Sequence, residues 1–241
     1  MEKLFAHRFG GSGNLTGHSF GNLFIAALIE VLGDVEEAMD ATSKVLRVRG
    51  KVIPSSAEKI RLNAEMTDGR IVEGESQIPH AHGKIKRVFT TPEHPKAIQS
   101  AVRAIQEADA IVLGPGSLYT SIMPNLCVPD IVQAVRTSKA PKIYICNVMT
   151  QPGETDDYTV SDHVKAINRQ AGGRVIDFVI ANNGDVDPAV LQRYVATGSH
   201  PVIIDKKEVS QPGRRSSCRT SSTRKTVPPT IQRSWPTSSS T

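Results

Sequence analysis

The sequence predicts an α/β protein: a doubly wound parallel sheet of Rossmann type, carrying an inserted helical hairpin and a β-rich subregion. Two observations predict it. From Pro95 onward, short and nearly continuous apolar runs alternate with amphipathic segments, which is the pattern of parallel strands covered by helices on both faces. The apolar runs then break, one after another, into loops rich in Gly, Asn, Ser and Thr, as do the carboxyl ends of strands in such sheets.

Taken in order, Gly21 to Leu32 places Leu23, Ala26, Ala27 and Val31 at helical spacing and stops at Gly33, a C-terminal capping glycine. Asp34 follows as an N-cap, with Glu36 and Glu37 in the first turn of a second helix that runs to about Leu46. Together they form the helical hairpin. The β-rich subregion consists of Val48 to Ile53, Ile60 to Met66, Arg70 to Glu75 and Lys84 to Phe89, with Thr67-Asp68-Gly69 as a hairpin turn. Alternation of Ile60, Leu62, Ala64 and Met66 with polar residues predicts one wet face.

The α/β part follows: helix Pro95–Ala108 with Ile98, Val102 and Ile105 on one stripe, then strand Asp109–Leu113, helix Pro129–Thr137 and strand Lys142–Asn147. Helix Thr159–Gln170, strand Ile176–Ala181, helix Pro188–Ala196 and strand Pro201–Ile204 complete it. Residues 1–209 form a single domain on this reading. The tail, 210–241, is nearly half Ser and Thr, contains four prolines and no acidic residue, and shows no periodicity. It is expected to be disordered, either as a basic linker or as the product of a slipped reading frame.

Charge and cysteine content narrow the function. Six of the 29 Lys and Arg lie after Val209, and without them the net charge falls from +5 to −1, so the body has no basic excess for nucleic acid. Aromatic residues, at 5%, are too sparse for base-stacking platforms. Cys127, Cys146 and Cys218 show no paired spacing, which suits a reducing compartment. No apolar run reaches membrane-spanning length and no signal-peptide core follows Met1, so the expected location is cytoplasmic.

The most informative local stretch is Ile111-Val112-Leu113-Gly114-Pro115-Gly116-Ser117-Leu118-Tyr119-Thr120-Ser121-Ile122. An apolar strand ends in a glycine turn and a short polar segment suited to opening a helix. Glycines let the backbone approach a ligand closely, and helix-opening N–H groups with the hydroxyls of Ser117, Thr120 and Ser121 offer donors to a phosphate. A strand-to-helix turn that merely needs glycine is the plain alternative. Two further strand ends, Asn147 to Thr155 and Asn182 to Asp185, are also polar. Three such loops on one sheet edge favour a shared pocket over separate turns.

These motifs carry a family likeness. Leu15-Thr16-Gly17-His18-Ser19-Phe20-Gly21-Asn22-Leu23, Val48-Arg49-Gly50-Lys51-Val52, Gly114 to Leu126 and Cys146 to Asp156 resemble the bacterial gluconeogenesis factor family, which is related to 2-phospho-L-lactate transferase (CofD-like). The resemblance runs from about Leu4 to Asp205. It implies a Rossmann-like protein that binds a nucleotide, a UDP-sugar or a dinucleotide and supports growth and cell shape on gluconeogenic carbon sources. On this resemblance, Gly114, Gly116, Ser117, Tyr119, Thr120 and Ser121 surround the phosphates. Asn147, Thr150, Gln151 and Asn183 line the neighbouring strand ends, and His18, Gly21 and Asn22 close the pocket from the helical side. Family members begin with a further βα unit before the position matching Met1, and continue into a final helix where this chain has its Ser/Arg-rich tail. The expected partner is a small nucleotide-sugar or dinucleotide, with Mg²⁺ as a candidate companion and a homodimer as a candidate assembly. Neither nucleic acid nor a membrane is expected.

Other residues admit two readings each. His18 either faces ligand or serves the turn before the helix. His80 and His82 form a His-x-His pair that lacks a clear further ligand set, so surface histidines are favoured. Glu154, Asp156, Asp157 and Asp162 either hold Mg²⁺ beside phosphates or, the favoured reading, complement a helix N-terminus. Arg47, Arg49 and Lys51, alternating on a strand, either face an anionic ligand or form a solvated sheet face. Ser117 with His163 would suggest a hydrolase, but no Gly-x-Ser-x-Gly elbow surrounds the serine. The preferred function is a non-catalytic, nucleotide-sugar-responsive regulator; the alternative is a phosphotransferase of the 2-phospho-L-lactate transferase type, which needs carboxylates and a metal held against phosphates.

Overall fold

The computed structural model describes residues 2–205 and the short segment 218–220. The chain opens with a single helical turn, α1 (Glu2–Phe5), and the hairpin α2 (Phe20–Leu32) and α3 (Val35–Leu46). Its caps are the expected ones. Gly33 closes α2 at φ 73°, a conformation that costs glycine nothing, and the Asp34 carboxylate accepts the Glu37 amide at 2.8 Å to open α3. Phe5 packs edge-on against Phe20 and Phe24, and Gly21 lets α2 approach α1: a Cβ there would lie 3.0 Å from the Phe5 carbonyl oxygen. Otherwise the hairpin is lightly covered, with Val31 79% exposed.

The subregion is a three-stranded antiparallel sheet, ordered β2-β1-β3, of β1 (Arg61–Met66), β2 (Ile71–Glu73) and β3 (Ile85–Thr91). Asp68 and Gly69 build the turn between β1 and β2, Asp68 accepting the Arg70 amide at 3.1 Å and Gly69 standing at φ 88°. The expected strand Val48–Ile53 does not form. Arg47 and Gly50 both take positive φ, which curls the chain, and Pro54 follows. The polar side of β1 is less wet than expected: Asn63 is buried and donates to Thr91 Oγ1 at 2.8 Å, and Glu65 accepts from Lys86 and Arg87 at 2.6 Å each.

The second sheet is parallel and ordered β4-β5-β6-β7, from β4 (Ile111–Leu113), β5 (Lys142–Ile145), β6 (Phe178–Ala181) and β7 (Cys218–Thr220). The helices α4 (Gln99–Gln106), α5 (Pro129–Thr137), α6 (Val160–Gln170) and α7 (Pro188–Val195) stand in the predicted order, and the fold is Rossmann-like. Leu113, Tyr144 and Val179 align across the sheet on its buried face. On the opposite face the aligned row Val112, Ile143 and Phe178 is only partly covered, and Val112 is 51% exposed. Coverage on both faces, as the apolar runs suggested, is therefore uneven among the described residues.

Two further expectations need correction. Pro201–Ile204 forms no sheet strand. It crosses the strand-end loops instead: the His200 carbonyl accepts from the Thr150 amide, the Val202 amide donates to Val148, and the Ile203 carbonyl accepts from Val160. The place beside β6 is taken by β7, within the tail expected to lack structure; three residues are too short to show periodicity, and the free edge of β6 supplies their backbone partners. The remainder of 210–241 lies outside the described residues. Both sheets contribute to one apolar core, Leu62, Met66 and Val88 joining Leu113, Tyr144 and Val179.

Candidate functional site

Strands β4 and β5 run side by side and end at the same edge, so their following loops meet. Gly114 makes the meeting close. It has φ 92°, and a Cβ would stand 2.8 Å from the Ile145 carbonyl oxygen, so a side chain is excluded by both backbone and neighbour. Gly116 then passes Ser121 at a distance that leaves a Cβ 3.3 Å from the serine Cβ. Ser117 caps a single π turn, Leu118–Ile122, and accepts from the Thr120 amide at 3.3 Å. The polar segment thus opens a helical turn, as expected.

The occupant of that turn is Glu154. Its carboxyl group is bonded by the Ser117 hydroxyl and, at 3.2 Å, by the Thr120 hydroxyl, while those two hydroxyls stand 2.6 Å apart. Glu154 is 6% exposed, and burial raises its carboxyl above the ordinary range against the pull of these donors. Of the hydroxyls read from the sequence as a phosphate cradle, those of Ser117 and Thr120 are therefore engaged by a side chain from the β5 loop. The sequence places Glu154 among acids that either hold Mg²⁺ beside phosphates or complement a helix start; nothing local marks its bonds to the turn, since those partners are 34 and 37 residues away.

The other expected site residues fall into three groups. Gly114, Gly116, Ser117, Thr120 and Ser121 share the turn, but Tyr119 belongs to the core: it is 2% exposed, and its hydroxyl lies 2.7 Å from that of Tyr158. A bulky aromatic beside an apolar strand end is drawn inward, so its place around phosphates is not supported by its position. In the β5 loop Asn147 donates to Gln151 at 3.1 Å, whereas Thr150 turns away to accept the His200 amide at 2.9 Å. Asn183 is exposed just beyond β6. The bonds seen for His18 and Asn22 run within the N-terminal segment, to Phe9, Leu15 and Ser19, and Gly21 serves the contact with Phe5.

Beside the turn lies a cleft of about 470 Å³ along β4, within the range of small-molecule sites. Gly114, Pro115 and Ser121 form one rim, and Lys51, Ser55 and Asn125 add polar groups to otherwise aliphatic walls. Lys51 reaches this place because the chain there is irregular, not because of a strand face. It is the residue whose functional reading gains most from the structure.

The acids go elsewhere. Asp162 completes a capping box with Thr159 at the start of α6, the favoured reading, and Asp156 accepts the Gly153 amide at 2.8 Å. Among the described residues no group of three or more His, Cys, Asp and Glu is arranged to hold a metal. His163 is fully buried, its Nδ1 2.8 Å from the Thr159 carbonyl oxygen, and Ser117 bonds Glu154, so these two do not form a serine–histidine pair. Asp205, unnoticed in the sequence, accepts from the Ser161 amide and the Thr159 hydroxyl and ties the chain beyond Ile203 to the start of α6.

The arrangement defines a Rossmann-like α/β protein with polar loops at the carboxyl edge of its parallel sheet and a cleft along β4. The family described as "2-phospho-L-lactate transferase CofD" matches residues 1–221, and the chain belongs to this CofD-like family, together with the gluconeogenesis factors. The chain is 49% identical over 213 residues to the gluconeogenesis factor of Bacillus subtilis, covering 88% of this chain and 67% of that one. It is 48% identical over 213 residues to the gluconeogenesis factor of Halalkalibacterium halodurans, covering 88% and 66%. A crystal structure of a UPF0052-family protein from Bacillus halodurans is 49% identical, with TM-score 0.80, covering 86% of this chain and 67% of that one. The chain spans between 47% and 67% of the length of these and a further relative, from Nostoc. Among the described residues no helix is long and apolar enough to cross a membrane.

Proposed function

We propose that this chain is a cytoplasmic regulator of the gluconeogenesis factor kind, which binds a nucleotide-sugar or dinucleotide at the carboxyl edge of its parallel sheet and supports growth and cell shape on gluconeogenic carbon sources. The observation that carries the reading is the cleft beside Gly114 and Ser121 with Lys51 at its wall. A glycine turn gives a diphosphate close access to the backbone, the ammonium offsets its charge, and the aliphatic walls suit the rest of the ligand. The family description favours a second reading, phosphoryl transfer. That chemistry draws on carboxylates and a metal at the transferring group, whereas Asp162 is engaged in a helix cap and Asp156 in a turn.

Calorimetric titration of the full chain with UDP-glucose and with NAD, with and without Mg²⁺, tests the proposal. Saturable binding of one of them without turnover is expected, and Lys51→Ala should weaken it by about tenfold, the scale of one charge-assisted contact, with the melting temperature unchanged. Absence of binding, or binding indifferent to Lys51, sinks the reading. Formation of a phosphorylated product favours the transferase.

A further inference from the structure

The contacts around Glu154 contain more hydrogen bonds than two hydroxyl groups supply. Ser117 Oγ, Thr120 Oγ1 and the two carboxyl oxygens make three O···O contacts in a ring: Ser117 to Glu154 Oε2, Ser117 to Thr120, and Thr120 to Glu154 Oε1. Each contact needs one hydrogen, and Ser117 and Thr120 bring one each. The ring closes only when the carboxyl group contributes the third. The ring is built on Ser117 and Thr120, in the same turn whose Gly114, Pro115 and Ser121 rim the Lys51 cleft. Only a few residues of backbone separate the carboxyl group from the place proposed for the ligand's phosphates.

We propose that Glu154 is a proton-coupled positioning residue: protonated, it closes the hydroxyl ring that holds the turn in its ligand-receiving form, and ionised, it sets a negative charge behind the turn that opposes an anionic ligand. This rests on the cleft being the nucleotide-sugar site. Burial raises the Glu154 carboxyl above its ordinary value, the direction this coupling requires. Titratable and charged groups on the elements packed around it are few. Tyr119 and Tyr158 bond one another, and burial pushes the Tyr119 phenol up; Asp156 bonds the Gly153 amide; His163, on α6, packs against Tyr158, and burial lowers its pKa; Arg169 also lies on α6. On the segments flanking the loop, His80 ends the 3-10 turn Glu75–His80, whose Pro79 abuts Gly153, and His200 donates its amide to Thr150.

The test is the affinity of the full chain for UDP-glucose, whose diphosphate does not titrate between pH 5 and 8, measured across that range in two buffers of different ionisation enthalpy. Wild type is expected to bind about tenfold more tightly at pH 5.5 than at pH 8, the scale of a one-unit shift in a linked group, and to take up a fraction of a proton on binding. Glu154→Gln, which keeps the shape without the titration, is expected to bind with a flat profile and no such uptake. Equal pH profiles in wild type and E154Q overturn the proposal while leaving the site in place. Failure of both proteins to bind at any pH overturns the nucleotide-sugar reading, and this coupling with it.

Discussion

The carbonyl oxygen of Pro79 occupies the space in which a side chain on Gly153 would begin: a Cβ there would lie 2.0 Å from it, and Gly153 also stands at φ 80°. The β5 loop is thereby pressed onto the 3-10 turn Glu75–His80, which belongs to the antiparallel subregion. Gly153→Ala must both strain the backbone and push the loop off Pro79. The expected outcome is a loss of about 3 kcal/mol or more in urea unfolding, among the larger single-residue effects. A loss under 1 kcal/mol, on the scale of an ordinary surface change, would show that the loop is not seated there.

The two phenols of Tyr119 and Tyr158 satisfy one another away from water. Tyr119→Phe leaves the Tyr158 hydroxyl to find another partner, at a cost of about 1–2 kcal/mol. Removing both hydroxyls should recover part of that cost, because no orphan remains. A double-mutant cycle on the urea midpoint reads the coupling directly, and additive losses would contradict it.

Burial lowers the His163 pKa below 6.5, while its bond to the Thr159 carbonyl and the charge of Asp162 act in the opposite direction. Above pH 6.5 the ring is neutral folded and unfolded alike. Below that value the unfolded chain takes up a proton that the buried ring refuses, so stability falls as pH drops from about 6.5 toward the folded-state pKa. Glu154 works the other way: its raised pKa makes the folded state the better proton binder just above pH 4.5, and its contribution is lost as pH rises. His163→Phe is therefore expected to flatten the fall in unfolding midpoint between pH 7 and 5, and E154Q to steepen it. Unchanged slopes in both variants would remove these groups from the account.

Asp205 accepts the Ser161 amide at 3.0 Å and the Thr159 hydroxyl at 2.8 Å, supplementing the cap of α6 from a distant part of the chain. Asp205→Ala is expected to cost about 1 kcal/mol, the range of a lost cap. Hydrogen exchange of the α6 amides should quicken in the same variant. A variant as stable and as protected as wild type would mean that the Thr159–Asp162 box suffices alone.

Much of this architecture was legible because its causes are local. Asp34, Gly33 and the Thr67-Asp68-Gly69 turn act within four residues, and the apolar runs at Ile111, Ile143 and Val179 declare buried strands by themselves. What escaped notice depends on partners remote in sequence. Val48–Ile53 has the composition of a strand, but Arg47 and Gly50 turn it aside and bring Lys51 to the cleft. Pro201–Ile204 is equally strand-like, yet its backbone bonds loops rather than a sheet. The glycine turn after Ile111 is legible in the sequence, but its filling is not, since Tyr119 faces the core and Glu154 arrives from 34 residues away.

Because the antiparallel sheet and the parallel sheet bury their side chains in a common interior, neither half is a detachable module. Excising residues 60–91 to obtain a minimal binding domain would remove Leu62, Met66 and Val88 from the interior that also holds Leu113, Tyr144 and Val179. The α2–α3 hairpin stands differently, with little beyond Gly21, Ala38 and Thr42 sealed from water. Swapping hairpins between relatives is thus a graft the body tolerates, whereas exchanging the small sheet demands that the interior be rebuilt with it.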